Sequence, residues 1–197
     1  CHLAGMPHKV WGWARTRWHT IEAEDMAQAL LEYPNGAPGY VHVNTVEAAT
    51  QRRIQLVGDR AALELMDEQV TLYRFTPSLS AYRATSDELF GTPGVAAEQV
   101  LVPAGDGGGH LAVYRDLEAA IAHGRPPRCD AREARMSLEL ANAITLSSYS
   151  ERAVTLPVDR AAYRALLARL RAGATDPAVR PSAGTAADTP PAEDTRG

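Results

Sequence analysis

Between Lys9 and about Pro103 apolar and polar residues alternate with a period of two, and after Gly105-Asp106-Gly107-Gly108-Gly109 the period turns helical. This switch constrains the chain more than any other feature, because strands that nearly all precede the helices cannot build an alternating parallel α/β sheet. The first run, Lys9 to Arg15, sets Trp11 and Trp13 on one face against Val10, Gly12 and Ala14 on the other. A second run from Asp25 to Tyr33 stops at Pro34-Asn35-Gly36, a turn signal. Pro38 to Thr45 then alternates Tyr40, His42 and Asn44 against Val41, Val43 and Thr45. Arg52 to Val57 meets Gly58-Asp59-Arg60 before Ala61 to Leu65, and Gln69 to Phe75 alternates again. Short turns between such runs predict hairpins and an antiparallel sheet. Thr76 to Ala97 reads as a long loop or short edge pieces, with Glu98 to Val102 as a closing strand.

Beyond the glycines, Leu111, Tyr114, Leu117 and Ile121 share one helical face, ended by Gly124 and Pro126-Pro127. Asp130-Ala131-Arg132-Glu133 has the form of a capping box opening a second helix through Leu138, Ala141, Ile144 and Ser148. After a short strand at Ala153 to Leu156, Asp159 caps a third helix with Tyr163, Leu166, Leu167 and Leu170 on one stripe. The expected class is therefore α+β: a large, mostly antiparallel sheet with helices on one face. The other face carries aromatics and is left for oligomerisation; its alternative is a face polar enough, through His42, Asn44 and Gln55, to be solvated.

The start and end of the chain read differently from its middle. Leu3-Ala4-Gly5 with Pro7 resembles a helix end, so residues 1–8 are read as the remnant of a preceding helix and linker. Residues 9–171 form the folded domain, and residues 172–197, dominated by Ala, Thr, Pro, Gly and Asp, are expected to be a disordered tail. A net charge of −4 offers no cationic field for nucleic acid or an anionic membrane. No apolar run is long enough for a membrane span. Two cysteines, Cys1 and Cys129, make neither a disulfide framework nor a metal-ligand pattern, which points to a reduced, cytoplasmic setting. Dinucleotide, P-loop, zinc-protease, nucleophile-elbow and C-x-x-C motifs are all missing.

Four segments, in this order, carry a family resemblance. They are His19 to Asp25 with Leu30 to Gly39; Ile54 to Leu63 around Gly58-Asp59-Arg60; His110 to Pro127 with its Gly124-Arg125-Pro126; and Glu139 to Ala143 with Ser147 or Ser148 and Val154 to Pro157. Over about Trp11 to Leu170 the chain resembles the C-terminal domain of the glucose-fructose oxidoreductase/inositol dehydrogenase (Gfo/Idh/MocA) family. The resemblance implies the substrate-side and oligomerisation domain of an NAD(P)-dependent sugar or polyol oxidoreductase, active by hydride transfer. The N-terminal Rossmann domain, its Glu-Lys-Pro lysine and the Asp and His that follow are absent, and His2 does not match that histidine. The chain alone is then expected to be inactive, with no catalytic residue, no bound cofactor and no metal. The alternative is a stand-alone, non-catalytic binding or assembly module.

Three residues become substrate-contact candidates within that resemblance. His110 follows the glycines at a helix start and could hydrogen-bond a sugar hydroxyl, or could serve the local backbone. His19 precedes the first long strand and could reach the cleft, although it reads first as a strand-edge histidine. Glu47 lies in Thr45 to Thr50, where Val46 and Thr50 replace glycines expected beside the Glu-Ala pair, so substrate preference does not carry over. Trp11 and Trp13 read as packing or interface anchors, and Asn142 and Ser147 as hydrogen-bonded core groups.

Overall fold

The computed structural model describes residues 3–48, 52–102 and 109–173. His2, the Ala49-Thr50 pair, the glycines before Gly109 and the tail from residue 174 lie outside them. In chain order the elements are β1 (Lys9–Arg15), β2 (Met26–Glu32), β3 (Pro38–Asn44), β4 (Arg53–Val57), β5 (Ala61–Met66), β6 (Gln69–Thr76), α1 (Leu79–Thr85), β7 (Gly94–Val100), α2 (Gly109–His123), α3 (Ala131–Ser150), β8 (Val154–Thr155) and α4 (Arg160–Arg171). The α+β class and the antiparallel pairing are as the sequence indicates, and the broad sheet resolves into two four-stranded sheets. They belong to two compact units, one formed by Cys1–Glu47 with Arg125–Gly197 and the other by Ala48–Gly124.

In the first unit the sheet order is β3-β2-β1-β8. Register pairs Val10 with Leu31, Gly12 with Ala29 and Ala14 with Ala27, so the small and branched residues of the period-two pattern share one face. That face packs on α3, where Val10, Ala14, Ala29 and Leu31 meet Ala143 and Ile144 in a core completed by Val154 and Val158. The helix comes unusually close at Gly12: a Cβ there would lie 2.4 Å from the Ile144 carbonyl oxygen. Only glycine fits that approach.

The same contact solves a hydrogen-bonding problem. β8 pairs only with Lys9 and Val10, which leaves the rest of that edge of β1 without a strand. Two α3 hydroxyls take its place. Gly12 N–H donates to Ser147 Oγ (2.8 Å), which donates to the Arg152 carbonyl (2.7 Å). Ala14 N–H donates to Ser148 Oγ (2.9 Å), which returns its proton to the Ala14 carbonyl (3.0 Å). Both serines are buried, and Ser147 is hydrogen-bonded as its reading as a core group requires. α3 starts at Asp130, whose carboxylate accepts from Arg132 N and Glu133 N, and α4 starts at Asp159, which accepts from Ala161 N and Ala162 N.

In the second unit the strands run β4-β5-β6-β7 in sequence order, each antiparallel to the next. One face holds Glu64, buried, which accepts from Arg53 Nε (2.6 Å) and Tyr73 Oη (3.3 Å). Two features differ from the sequence reading. The segment read as loop contains α1, seven residues capped by Ser78 and tied to the β4–β5 turn through Ser80 N–H and Oγ on the Asp59 carboxylate (2.8 and 3.0 Å). α1 buries no residue, so it leaves no apolar periodicity to read. The closing strand begins at Gly94 rather than Glu98, and all seven of its residues are exposed, which removes the alternation that marks a strand.

The close seam between β1 and α3 makes two predictions. Gly12→Ala pushes a methyl into the Ile144 backbone and should destabilise by about 1–3 kcal/mol. Ser147→Ala leaves a buried N–H and a carbonyl unpaired and should cost about 1–3 kcal/mol. Urea unfolding midpoints check both; an unshifted midpoint for Gly12→Ala would show that helix and strand do not meet there.

Candidate functional site

The face of the first unit's sheet that α3 does not cover is assembled by register. β1 presents Lys9, Trp11, Trp13 and Arg15; opposite them on β2 stand Glu32, Leu30, Gln28 and Met26, and on β3 Pro38, Tyr40, His42 and Asn44. Trp11, Leu30 and Tyr40 form one exposed apolar row across three strands. Lys9 Nζ sits 4.6 Å above the Trp11 ring and the Arg15 guanidinium 5.4 Å from the Trp13 ring, so the cations cover part of the indoles.

At the β3 end of this face Glu47 gathers a polar cluster. His42 and Asn44 sit on the same side of the strand because they are two residues apart. The Asn44 side-chain oxygen accepts from Val46 N (3.1 Å) and Glu47 N (2.7 Å), folding the chain back. That turn brings the Glu47 carboxylate to 3.1 Å from His42 Nε2 and 2.8 Å from the Asn44 amide, which donates to it. In its Nε2–H form the ring donates to Glu47 as well. The His42 hydrogen bond, with Asn44 adding to it against the effect of burial, holds Glu47 below the ordinary carboxylate value. The pair can exchange a proton with, or hydrogen-bond, a hydroxyl placed beside it.

His19 has a different environment. The Asp25 carboxylate, with its side chain fully buried, accepts from the backbone N–H groups of Arg17 (2.8 Å), Trp18 (2.9 Å) and His19 (2.9 Å), and His19 Nδ1 lies 3.3 Å from it. Burial raises the Asp25 pKa, but these donors outweigh it and hold it far below the usual range. The Asp25 carbonyl also accepts from Thr45 N (3.0 Å). Asp25 therefore ties both the His19 loop and the start of the Glu47 loop, although no hydrogen bond or ion pair joins His19 to Glu47 among the described residues. Pattern reading missed Asp25 because its partners are backbone amides. His42 and Asn44 were visible as an alternating polar pair, whereas the Asn44 turn that brings Glu47 to them is seen only in the structure.

His110 belongs to the second unit, in the first turn of α2, exposed and without a partner among the described residues. Asn142 is half-buried on α3, and Trp11 and Trp13 lie on the open face.

Nicotinamide dinucleotides bind through a glycine-rich turn that delivers a pyrophosphate to a free helix N-terminus beside a parallel strand. The described residues do not fit this. All their strand pairs are antiparallel, and Asp130 and Asp159 place carboxylates on the first amides of α3 and α4. Nor does any group of three His, Cys, Asp or Glu side chains converge for a metal among them.

Asp25 titrates in a direction that stability can report. Its depressed pKa in the folded chain means that the ionised carboxylate stabilises the fold above the unfolded value of about 3.9. That contribution is lost as pH falls below about 4 toward the folded value. Asp25→Asn should therefore melt at a lower temperature at neutral pH and show a shallower fall in melting temperature on acidification. Identical acid limbs for the two proteins would contradict the assignment.

Comparison with known proteins follows the fold. The family described as "Oxidoreductase family, C-terminal alpha/beta domain" (Gfo/Idh/MocA) matches residues 2–156. Among solved structures, the WlbA dehydrogenase from Bordetella pertussis, in complex with NADH and UDP-GlcNAcA, is 23% identical, with a TM-score of 0.55 over 80% of this chain and 42% of that one. UDP-N-acetylglucosamine 3-dehydrogenase GnnA from Acidithiobacillus ferrooxidans is 22% identical, with a TM-score of 0.55 over 72% of this chain and 42% of that one. None of the curated proteins compared with the chain matches it. The chain thus spans about two fifths of the length of these solved relatives, and its own fold and sequence place it in the Gfo/Idh/MocA oxidoreductase family as a C-terminal α/β domain.

Proposed function

We propose that the chain is the substrate-side and oligomerisation domain of an NAD(P)-dependent sugar or polyol oxidoreductase that transfers hydride at a secondary hydroxyl or carbonyl. The family match over residues 2–156 carries this reading. Solved relatives named as dehydrogenases, one holding NADH with a sugar nucleotide, support it. The dinucleotide belongs to a nucleotide-binding half, which supplies the hydride acceptor and the catalytic lysine. Without that half the chain alone is inactive.

This chain's part is to bind and orient. His110, exposed at a helix start and without a partner among the described residues, is the first candidate to hydrogen-bond a substrate hydroxyl. Glu47, held ionised by His42 and Asn44, is a second acceptor. His19 is a third, weaker candidate because its ring nitrogen already faces Asp25.

Self-association uses the open face of the first unit's sheet. Its Trp11-Leu30-Tyr40 row supplies apolar area, and Lys9 and Arg15 with Glu32 give the mixture of charges a two-fold contact between copies can satisfy. No helix among the described residues is long and apolar enough to cross a membrane, and the Cys129 thiol is free and exposed. A cytoplasmic setting agrees with both.

The test is nicotinamide turnover by the parent polypeptide carrying both halves, against a panel of sugars and polyols with each cofactor. His110→Ala in that protein should raise KM by about 10-fold with a smaller change in kcat. Absence of turnover with every cofactor and substrate class would favour the non-catalytic module instead, and an unchanged KM would remove His110 from the substrate's contacts.

A further inference from the structure

Away from the cluster around Glu47, α3 and α4 flank an open groove of about 470 Å³. Its lining follows helical spacing. Arg135, Glu139 and Asn142 are i, i+4 and i+7 on α3, and Arg160, Tyr163 and Arg164 are i, i+3 and i+4 on α4. Three exposed arginines thus line one groove.

Their surroundings do not neutralise them. Among the described residues no carboxylate lies within ion-pair distance of Arg135, Arg160 or Arg164. Glu139, the helical neighbour that would ordinarily pair with Arg135, instead turns one oxygen to the Val158 backbone N–H at 2.6 Å. Arg160 and Arg164 are like charges one turn apart, an arrangement that is unfavourable until something anionic bridges it. The remaining polar lining donates: the Asn142 amide is one donor. Burial, and then the charge of Glu24, push the Tyr163 phenol above its ordinary pKa, so its O–H is retained. With a net charge of −4 the chain as a whole repels anions, so any anion held here is held locally.

We propose that the α3–α4 groove is a binding site for a phosphorylated small molecule, its phosphate or diphosphate group held by the forks of Arg135, Arg160 and Arg164. Guanidinium groups match tetrahedral phosphate with paired N–H donors, which an ammonium or a single helix end does not. Three arginines outnumber the carboxylates at the groove, Glu139 in the lining and Glu24 near Tyr163, which leaves a net positive charge for an anion. Val158 and Leu167 give the groove an apolar wall for the body of the molecule. The inference does not depend on the oxidoreductase reading.

Titration calorimetry on the full chain tests it, with inorganic phosphate and inorganic pyrophosphate as probes. Saturable binding of one equivalent of at least one probe is expected, weakened by added salt. Arg160→Ala/Arg164→Ala should lose about 10-fold or more in affinity. These are exposed helix positions where alanine keeps helix propensity, so circular dichroism should be unchanged. A matched pair outside the groove lining, Arg169→Ala/Arg171→Ala, should bind as the parent does. No saturable binding of either probe, or equal loss in both double variants, would overturn the site.

Discussion

The first unit depends on how closely α3 approaches β1. A sheet edge beyond a two-residue strand leaves buried amides that must find acceptors, and no backbone is there to provide them. Ser147 and Ser148 provide them, and they reach only because Gly12 lets the helix backbone come within contact distance. The requirement fixes the rotation of α3, which sets Ala143 and Ile144 on the core and Asn142, Glu139 and Arg135 toward α4. It also commits one sheet face to the core, and with it leaves Trp11, Trp13, Tyr40, His42 and Asn44 on the other.

From that commitment the polar chemistry follows by strand alternation. His42 and Asn44 share a face by parity, and the Asn44 turn folds Glu47 against them. Asp25 fixes two loops at once, one through its carboxylate and one through its carbonyl. The result is a sheet–helix seam packed on one face, with a cluster of polar side chains gathered at the end of the other.

Much of this was legible in the residues. Period-two runs located the strands, Pro34-Asn35-Gly36 and Gly58-Asp59-Arg60 marked turns, and Asp130 and Asp159 marked the helix starts that the structure has. The ordered segments gave the family before any coordinate did. What escaped was structure whose cause is not periodic. α1 buries nothing and rests on Asp59, 21 residues from Ser80, and β7 is exposed throughout. The division into two sheets depends on which strands pair, and alternation within each strand does not encode that. Asp25 acts on backbone amides, which carry no residue-type signal, and the arginine groove exists only once α3 and α4 are packed.

The central claim is that these residues form the substrate side of an enzyme whose dinucleotide is held elsewhere. A crystal structure of the parent enzyme with nicotinamide dinucleotide and a sugar or polyol bound would test it most directly. The account predicts sugar hydroxyls in hydrogen-bond contact with residues of this chain and the pyrophosphate seated on none of them. A pyrophosphate held by this chain, or a substrate touching none of its residues, would contradict it.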